Sequence, residues 1–169
     1  MKKLALFLCL AGLVSAPVWG QVVDKPKLGH AYVFVAPGVA TTFSCRSCTA
    51  GTIHFGGGGE GTFYKGLGVG AEIGYLGAMG SMNEGIGLAS LNGIYIFRSR
   101  NNPKLEPFLT GGGTLAFAGG GLFGGLNFGG GIQYWFRKKI GIRVELRDHI
   151  PNQDFSSHLF EGRVGFAFR

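Results

Sequence analysis

Apolar and polar residues alternate along much of this chain with a period of two. Between Ile140 and Arg147 every even position is aliphatic (Ile140, Ile142, Val144, Leu146), and after Gly141 every odd position is charged (Arg143, Glu145, Arg147). Successive side chains of a strand point to opposite sides, so this segment reads as a strand with one greasy and one ionic face. A helix would scatter the same charges around its cylinder. The rule recurs in Phe160, Gly162, Val164, Phe166 and Phe168 against Glu161, Arg163, Gly165, Ala167 and Arg169. A third copy sets Leu67, Val69, Ala71, Ile73 and Tyr75 against Gly68, Gly70, Glu72 and Gly74.

Turn signals cut the remaining sequence at a similar pace. The pattern predicts eight strands, over 29–37, 51–61, 65–76, 86–97, 105–117, 124–136, 140–149 and 157–168. Most are about the length that a tilted strand needs to cross a bilayer. Short connections are expected at 62–64, 98–104 and 137–139, and longer ones at 38–50, 77–85, 118–123 and 150–156. Alternating short and long connections and an even strand number describe an up-and-down barrel in an outer membrane. The competing reading is a helical hairpin with glycine-zipper packing through 107–136, a stretch without charge. Each glycine there would weaken a helix by about 1 kcal/mol relative to alanine, and the charged, alternating strands on either side could not join such a bundle. The expected fold class is therefore all-β: an eight-stranded antiparallel up-and-down transmembrane β-barrel after a cleaved signal peptide.

The first residues supply that signal. Lys2 and Lys3 precede an uncharged apolar run from Leu4 to Leu13, and small residues follow at Ser15, Ala16 and Gly20. The layout is that of a secretory signal peptide over 1–20, too short for a comfortable membrane anchor. A lipoprotein reading through Cys9 lacks the small residues that processing needs at Leu6, Phe7 and Leu8. A short periplasmic segment, 21–27, and a barrel domain, 28–169, complete the expected organisation.

Composition then narrows the class. Glycine supplies 33 of 169 residues, yet 46% of the chain is hydrophobic and 13% aromatic, which argues against disorder. A net charge of +7 ordinarily raises nucleic acid as a partner. Export and the absence of a Lys/Arg stripe in the sequence set that aside. Instead, Lys65, Arg98, Arg100, Lys104, Arg137, Lys138 and Lys139 lie at or beside the short turns, with Lys25, Lys27 and Arg169 on the same side. They read as a solvated rim, or as a rim that attracts anionic headgroups. Arg46 is the basic exception in the long connections.

The tail Arg163-Val164-Gly165-Phe166-Ala167-Phe168-Arg169, the run Gly129-Gly130-Gly131-Ile132-Gln133-Tyr134-Trp135-Phe136 and the run Pro107-Phe108-Leu109-Thr110-Gly111-Gly112-Gly113 resemble strands of small outer-membrane barrels. The resemblance is to the OmpA-like or OmpX-like eight-stranded group and covers about residues 28–169. It implies an outer-membrane location, contact with outer-membrane lipids and lipopolysaccharide, and assembly by machinery that reads the C-terminal strand.

Candidate chemistry lies on the inward phase: Glu60, Glu72, Arg143, Glu145, Arg147, Glu161 and Arg163. An eight-stranded barrel is just wide enough for side chains to fill, so these residues must meet. Buried charges persist when paired and hydrogen-bonded. The expectation is a structural ion-pair core that closes the lumen, with each Arg facing a Glu across β-partners; the alternative is a proton or small-ion path. Cys45 and Cys48 form a lone C-x-x-C, read as a local disulfide in an oxidising compartment, since zinc would need a second pair. The run from Gly66 to Ala71 fits G-x-G-x-x-A but continues as a strand instead of opening a helix, so no nucleotide cofactor is expected. No metal or catalytic residue is assigned.

Ser156, His158 and Asp148 share the outward phase near one rim. Lipid A-modifying barrels place Ser, His and an acid in such a position, but with a His-x-Ser order where this chain has Ser-x-His, and the geometry of such a trio cannot be read from spacing. His30 and His54 read as interfacial or lumenal fillers. The expected function is thus non-enzymatic: structural, adhesive or protective, with connections such as 118–123 and Asn152, Gln153 and Asp154 as the interaction surface.

Overall fold

The computed structural model describes residues 29–42, 48–99, 101–152 and 157–169. They form β1 (His30–Thr42), β2 (Cys48–Tyr64), β3 (Leu67–Ala78), β4 (Ser81–Ile96), β5 (Leu105–Ala118), β6 (Gly121–Tyr134), β7 (Ile140–Pro151) and β8 (Ser157–Phe168). Each strand pairs antiparallel with the next, and β8 pairs with β1 to close the barrel. Registered partners lead from His30 through Glu60, Gly70, Asn92, Gly112, Asn127, His149 and Leu159 to Ala40, ten residues further along β1. Such a stagger goes with strands tilted by about 35–45°. Side chains from distant positions of the sequence therefore meet at one depth in the lumen.

The alternation sets inside from outside. On β7 the odd positions from Gly141 to His149 are buried, while Ile142, Val144 and Leu146 face out. The outer wall carries exposed Val33, Val35, Val69, Ile73, Leu91, Leu109 and Ile132. At the end where β1 begins and β8 ends, the terminal end of the barrel, it is ringed by Phe63, Tyr64, Phe97, Tyr134, Phe136 and Phe168. A continuous apolar surface with aromatic residues at its edge is what a lipid-facing barrel presents.

The hairpins turn tightly. Lys65 (φ 41°) with Gly66 (φ 90°), and Gly119 (φ 53°) with Gly120 (φ 82°), place both central residues in the left-handed region. That is the arrangement whose twist matches the flanking strands. Met79 and Gly80 join β3 to β4.

The strands run further than the turn signals suggested. The expected loop at 77–85 shrinks to a two-residue turn, as does that at 118–123. Likewise β1 and β2 extend into the stretch 38–50. The connection 97–104, described apart from Arg100, lies at the opposite end of the barrel and is longer than these two turns. The alternation of long and short connections is thus not present among the described connections. The physical reason is that glycine, methionine and phenylalanine in these stretches neither break the ladder nor carry charge, so pairing continues almost to the tips. The helical hairpin through 107–136 is replaced by β5 and β6. The segments 1–20 and 21–27, Cys45, Arg46, Arg100 and 153–156 lie outside the described residues.

Candidate functional site

Arg143, Glu145 and Arg147 stand two residues apart on β7, so their side chains rise in a column along the lumen. Glu145 accepts hydrogen bonds from Arg143 Nε at 3.1 Å and from Arg147 Nε at 2.5 Å. On β8, Arg163 Nε donates to Glu161 at 2.9 Å. The opposite wall completes these bonds. Glu60 on β2 accepts from Arg143 Nη1 at 2.8 Å. Glu72 on β3 accepts from Arg163 Nη1 at 2.9 Å, from Arg147 Nη1 at 3.3 Å and from the Tyr32 hydroxyl at 2.9 Å. The structure thus brings together all seven charges that the sequence placed inward, and Glu161 is 0% exposed.

The register sets Glu145 opposite Arg163 and Arg147 opposite Glu161. The hydrogen bonds nevertheless run along each strand and across the lumen to Glu60 and Glu72, which differs from the expected direct cross-strand pairing. Long arginine stems reach the barrel axis, where carboxylates of the far wall arrive as well. Aromatic faces flank the guanidinium groups: Arg143 Cζ lies 4.4 Å from the Tyr32 ring centre and 3.9 Å from that of Phe108, and Arg163 lies 4.4 Å from Phe34. Glycine makes the room. A Cβ at Gly58 would stand 2.9 Å from the Tyr32 hydroxyl, and one at Gly74 would strike the His54 ring.

Toward the terminal end, Glu106 accepts from Trp135 Nε1 and from Arg169 Nη2, each at 2.7 Å, with Arg98 at 3.8 Å. Arg169 stacks on Trp135 at 3.8 Å. Arg98 and Arg169 therefore turn inward and are not solvated rim charges, whereas Lys65, Lys104, Arg137, Lys138 and Lys139 are exposed. His30, near Glu60 at 3.0 Å, is also lumenal.

On the far side of the network the filling turns to histidines and small polar side chains. His54 Nδ1 donates to Glu161 at 2.9 Å, and Arg163 Nη2 donates to His149 Nε2 at 3.2 Å. The other nitrogen of His149 is 3.2 Å from Thr114 Oγ1, which also accepts from Asn127 at 2.9 Å and meets Ser90 at 2.9 Å. The sequence reading missed Glu106, Thr114, Asn127 and His149 as lumen residues. Their inward phase was the available signal, masked by the glycines between them. Ligand atoms of His54, His149 and Glu161 lie within 4.8 Å of one another. The Arg163 guanidinium already serves these acceptors, so the donor set suits a hydrogen-bonded layer better than a cation.

Outside the barrel, Asp148 and His158 are hydrogen-bonded at 2.8 Å; Ser156 lies outside the described residues. Cys48 opens β2, and its expected partner Cys45 is likewise not described.

The architecture is that of an eight-stranded outer-membrane barrel. Neisserial surface protein A is similar to this chain at 14% identity and a TM-score of 0.66, over 86% of this chain and 99% of that one. The N-terminal barrel domain of Pseudomonas aeruginosa OprF is similar at 17% identity and 0.55, over 81% and 97%. Ail, the attachment invasion locus protein of Yersinia pestis, is similar at 13% and 0.55, over 84% and 99%. Neither a protein-family model nor a curated protein sequence matches the chain. At these identities the likeness concerns the fold.

Proposed function

We propose that this chain is an integral outer-membrane barrel with a structural, adhesive or protective role and a lumen plugged by its own side chains. The observation that carries the reading is the buried network joining Glu60, Glu72, Arg143, Glu145, Arg147, Glu161 and Arg163. Paired charges filling the section of an eight-stranded barrel would obstruct a continuous solute path, and wide channels need many more strands. The apolar wall is the surface that outer-membrane lipids and lipopolysaccharide would cover, and β8 is the strand that assembly machinery would read. With described far-end turns of only two residues, adhesion would use the strand tips and the segments beyond the description.

The test is planar-bilayer conductance of the purified protein. The plugged reading expects a silent bilayer at neutral pH; stepwise conductance from single barrels would favour the narrow-channel alternative. A lipid-modifying hydrolase is the second reading, favoured by the Asp148–His158 pair on the outer face. Mass analysis of lipid A from cells with and without the protein decides it: unchanged acyl chains support the non-enzymatic role.

A further inference from the structure

The lumen does not stay polar to its far end. Beyond Thr114 and His149 lies a cavity of about 320 Å³, lined by Leu76, Ile86, Leu88, Ala116, Phe123 and Leu159. That size falls at the lower end of ligand pockets, which are mostly apolar with few polar groups. Here the polar groups are Thr114 and His149, and they are engaged with one another at the floor.

The lining identifies the guest. No Lys or Arg stands among the described residues of 76–86, 115–125 and 148–152, so an anionic group drawn into the cavity itself would lose water without gaining a cationic partner. The cavity is also bordered by Gly124 and Gly125 and by Leu126 and Ile150. Leu126 and Ile150 sit on the outward phase of β6 and β7, and Leu126 is 53% exposed to the lipid side. β6 and β7 stay paired beside these residues, with Asn152 N–H donating to Gly124 O at 2.9 Å, so the cavity and the apolar outer wall meet at the rim of these two strands. A chain already dissolved in the bilayer could reach the cavity over this rim. A barrel of this strand number has room for one such guest.

We propose that the far half of the lumen binds a single hydrocarbon chain of a membrane amphiphile. Its tail points toward Thr114 and His149 and its headgroup stays at the rim. The chain can come from a phospholipid or from a free fatty acid, since the site reads the tail.

The protein folded in detergent is incubated with palmitic acid or with phosphatidylethanolamine, and bound amphiphile is counted by native mass spectrometry. One tightly held chain per barrel is expected. Ala116→Phe on β5 and Ala40→Phe on β1 fill the cavity from different strands. Each should weaken binding by about tenfold or more, while Ala89→Phe, on the opposite phase of β4, leaves it unchanged. Folding is checked separately by the heat-dependent gel shift. Which of the two amphiphiles copurifies from membranes identifies the source. Equal binding by a folded cavity-filled variant, or an equal loss in Ala89→Phe, would overturn the site.

Discussion

Between the end where β1 begins and Glu161 the lumen is crowded with charge: arginines lie against aromatic rings, carboxylates accept from two or three donors, and glycines give way to larger neighbours. Beyond Thr114 the same barrel, built by the same alternation, is lined mainly by apolar side chains and holds a cavity. The contrast shows that period two decides which side chains face in, whereas depth along the barrel decides what they are for. In the charged half every group depends on several others. In the apolar half each side chain is nearly independent.

The largest effect is expected where one carboxylate serves two guanidinium groups. Glu72→Ala leaves Arg147 and Arg163 without their shared partner and should cost about 3–5 kcal/mol, read from urea titration of folding into vesicles. A loss under about 1 kcal/mol would mean that water screens these charges. Next comes the outer wall, where Val144→Arg should cost about 2–4 kcal/mol if Val144 stands near the membrane midplane. The same titration run in zwitterionic micelles should give a smaller loss, because a micelle deforms around a charge more readily than a bilayer.

Small-to-large changes separate the two halves of the lumen directly. Ala167, 0% exposed beside Tyr32, Phe34 and Trp135, has no space to grow, so Ala167→Leu should cost about 1–3 kcal/mol by overpacking. Ala116→Leu extends into the far cavity and should be close to neutral. Equal costs would erase the distinction. The smallest effect concerns neighbouring glycines. Gly58→Ala meets the Tyr32 ring and hydroxyl, whereas a Cβ at Gly59 finds nothing nearer than 3.7 Å. Gly59→Ala should therefore be neutral or stabilise by about 0.4–1 kcal/mol, with Gly58→Ala destabilising in the same urea titration.

Much of this fold was legible because a strand with lipid on one side and a filled lumen on the other has to alternate. The segments from Ile140 to Arg147 and from Phe160 to Arg169 state that alternation in charge. Strand ends were harder, since Gly77, Gly80, Gly119 and Gly120 look alike in sequence, yet only some of them turn the chain. Gly80, Gly119 and Gly120 have positive φ, whereas Gly77 sits within β3. Register was not legible either. It follows from the closure that shifts β1 by ten residues around the barrel, and closure is a property of all strands together. For that reason Glu60 and Glu72, remote in sequence from Arg143 and Arg163, are their partners across the lumen. The polar layer around Thr114, Asn127 and His149 escaped notice because uncharged residues spaced by glycine leave no strong pattern.

The central claim, that the lumen is closed by mutually dependent charges, is tested most directly by a double-mutant cycle on Glu72 and Arg163, whose contact is 2.9 Å. Folding free energies in lipid vesicles are measured for Glu72→Ala, Arg163→Ala and the double variant. The account expects the double variant to lose far less than the two single losses together, with a coupling of about 1–3 kcal/mol. Losses that add to within about 0.5 kcal/mol would show that the two groups stand apart in water, and the plugged lumen would have to be given up.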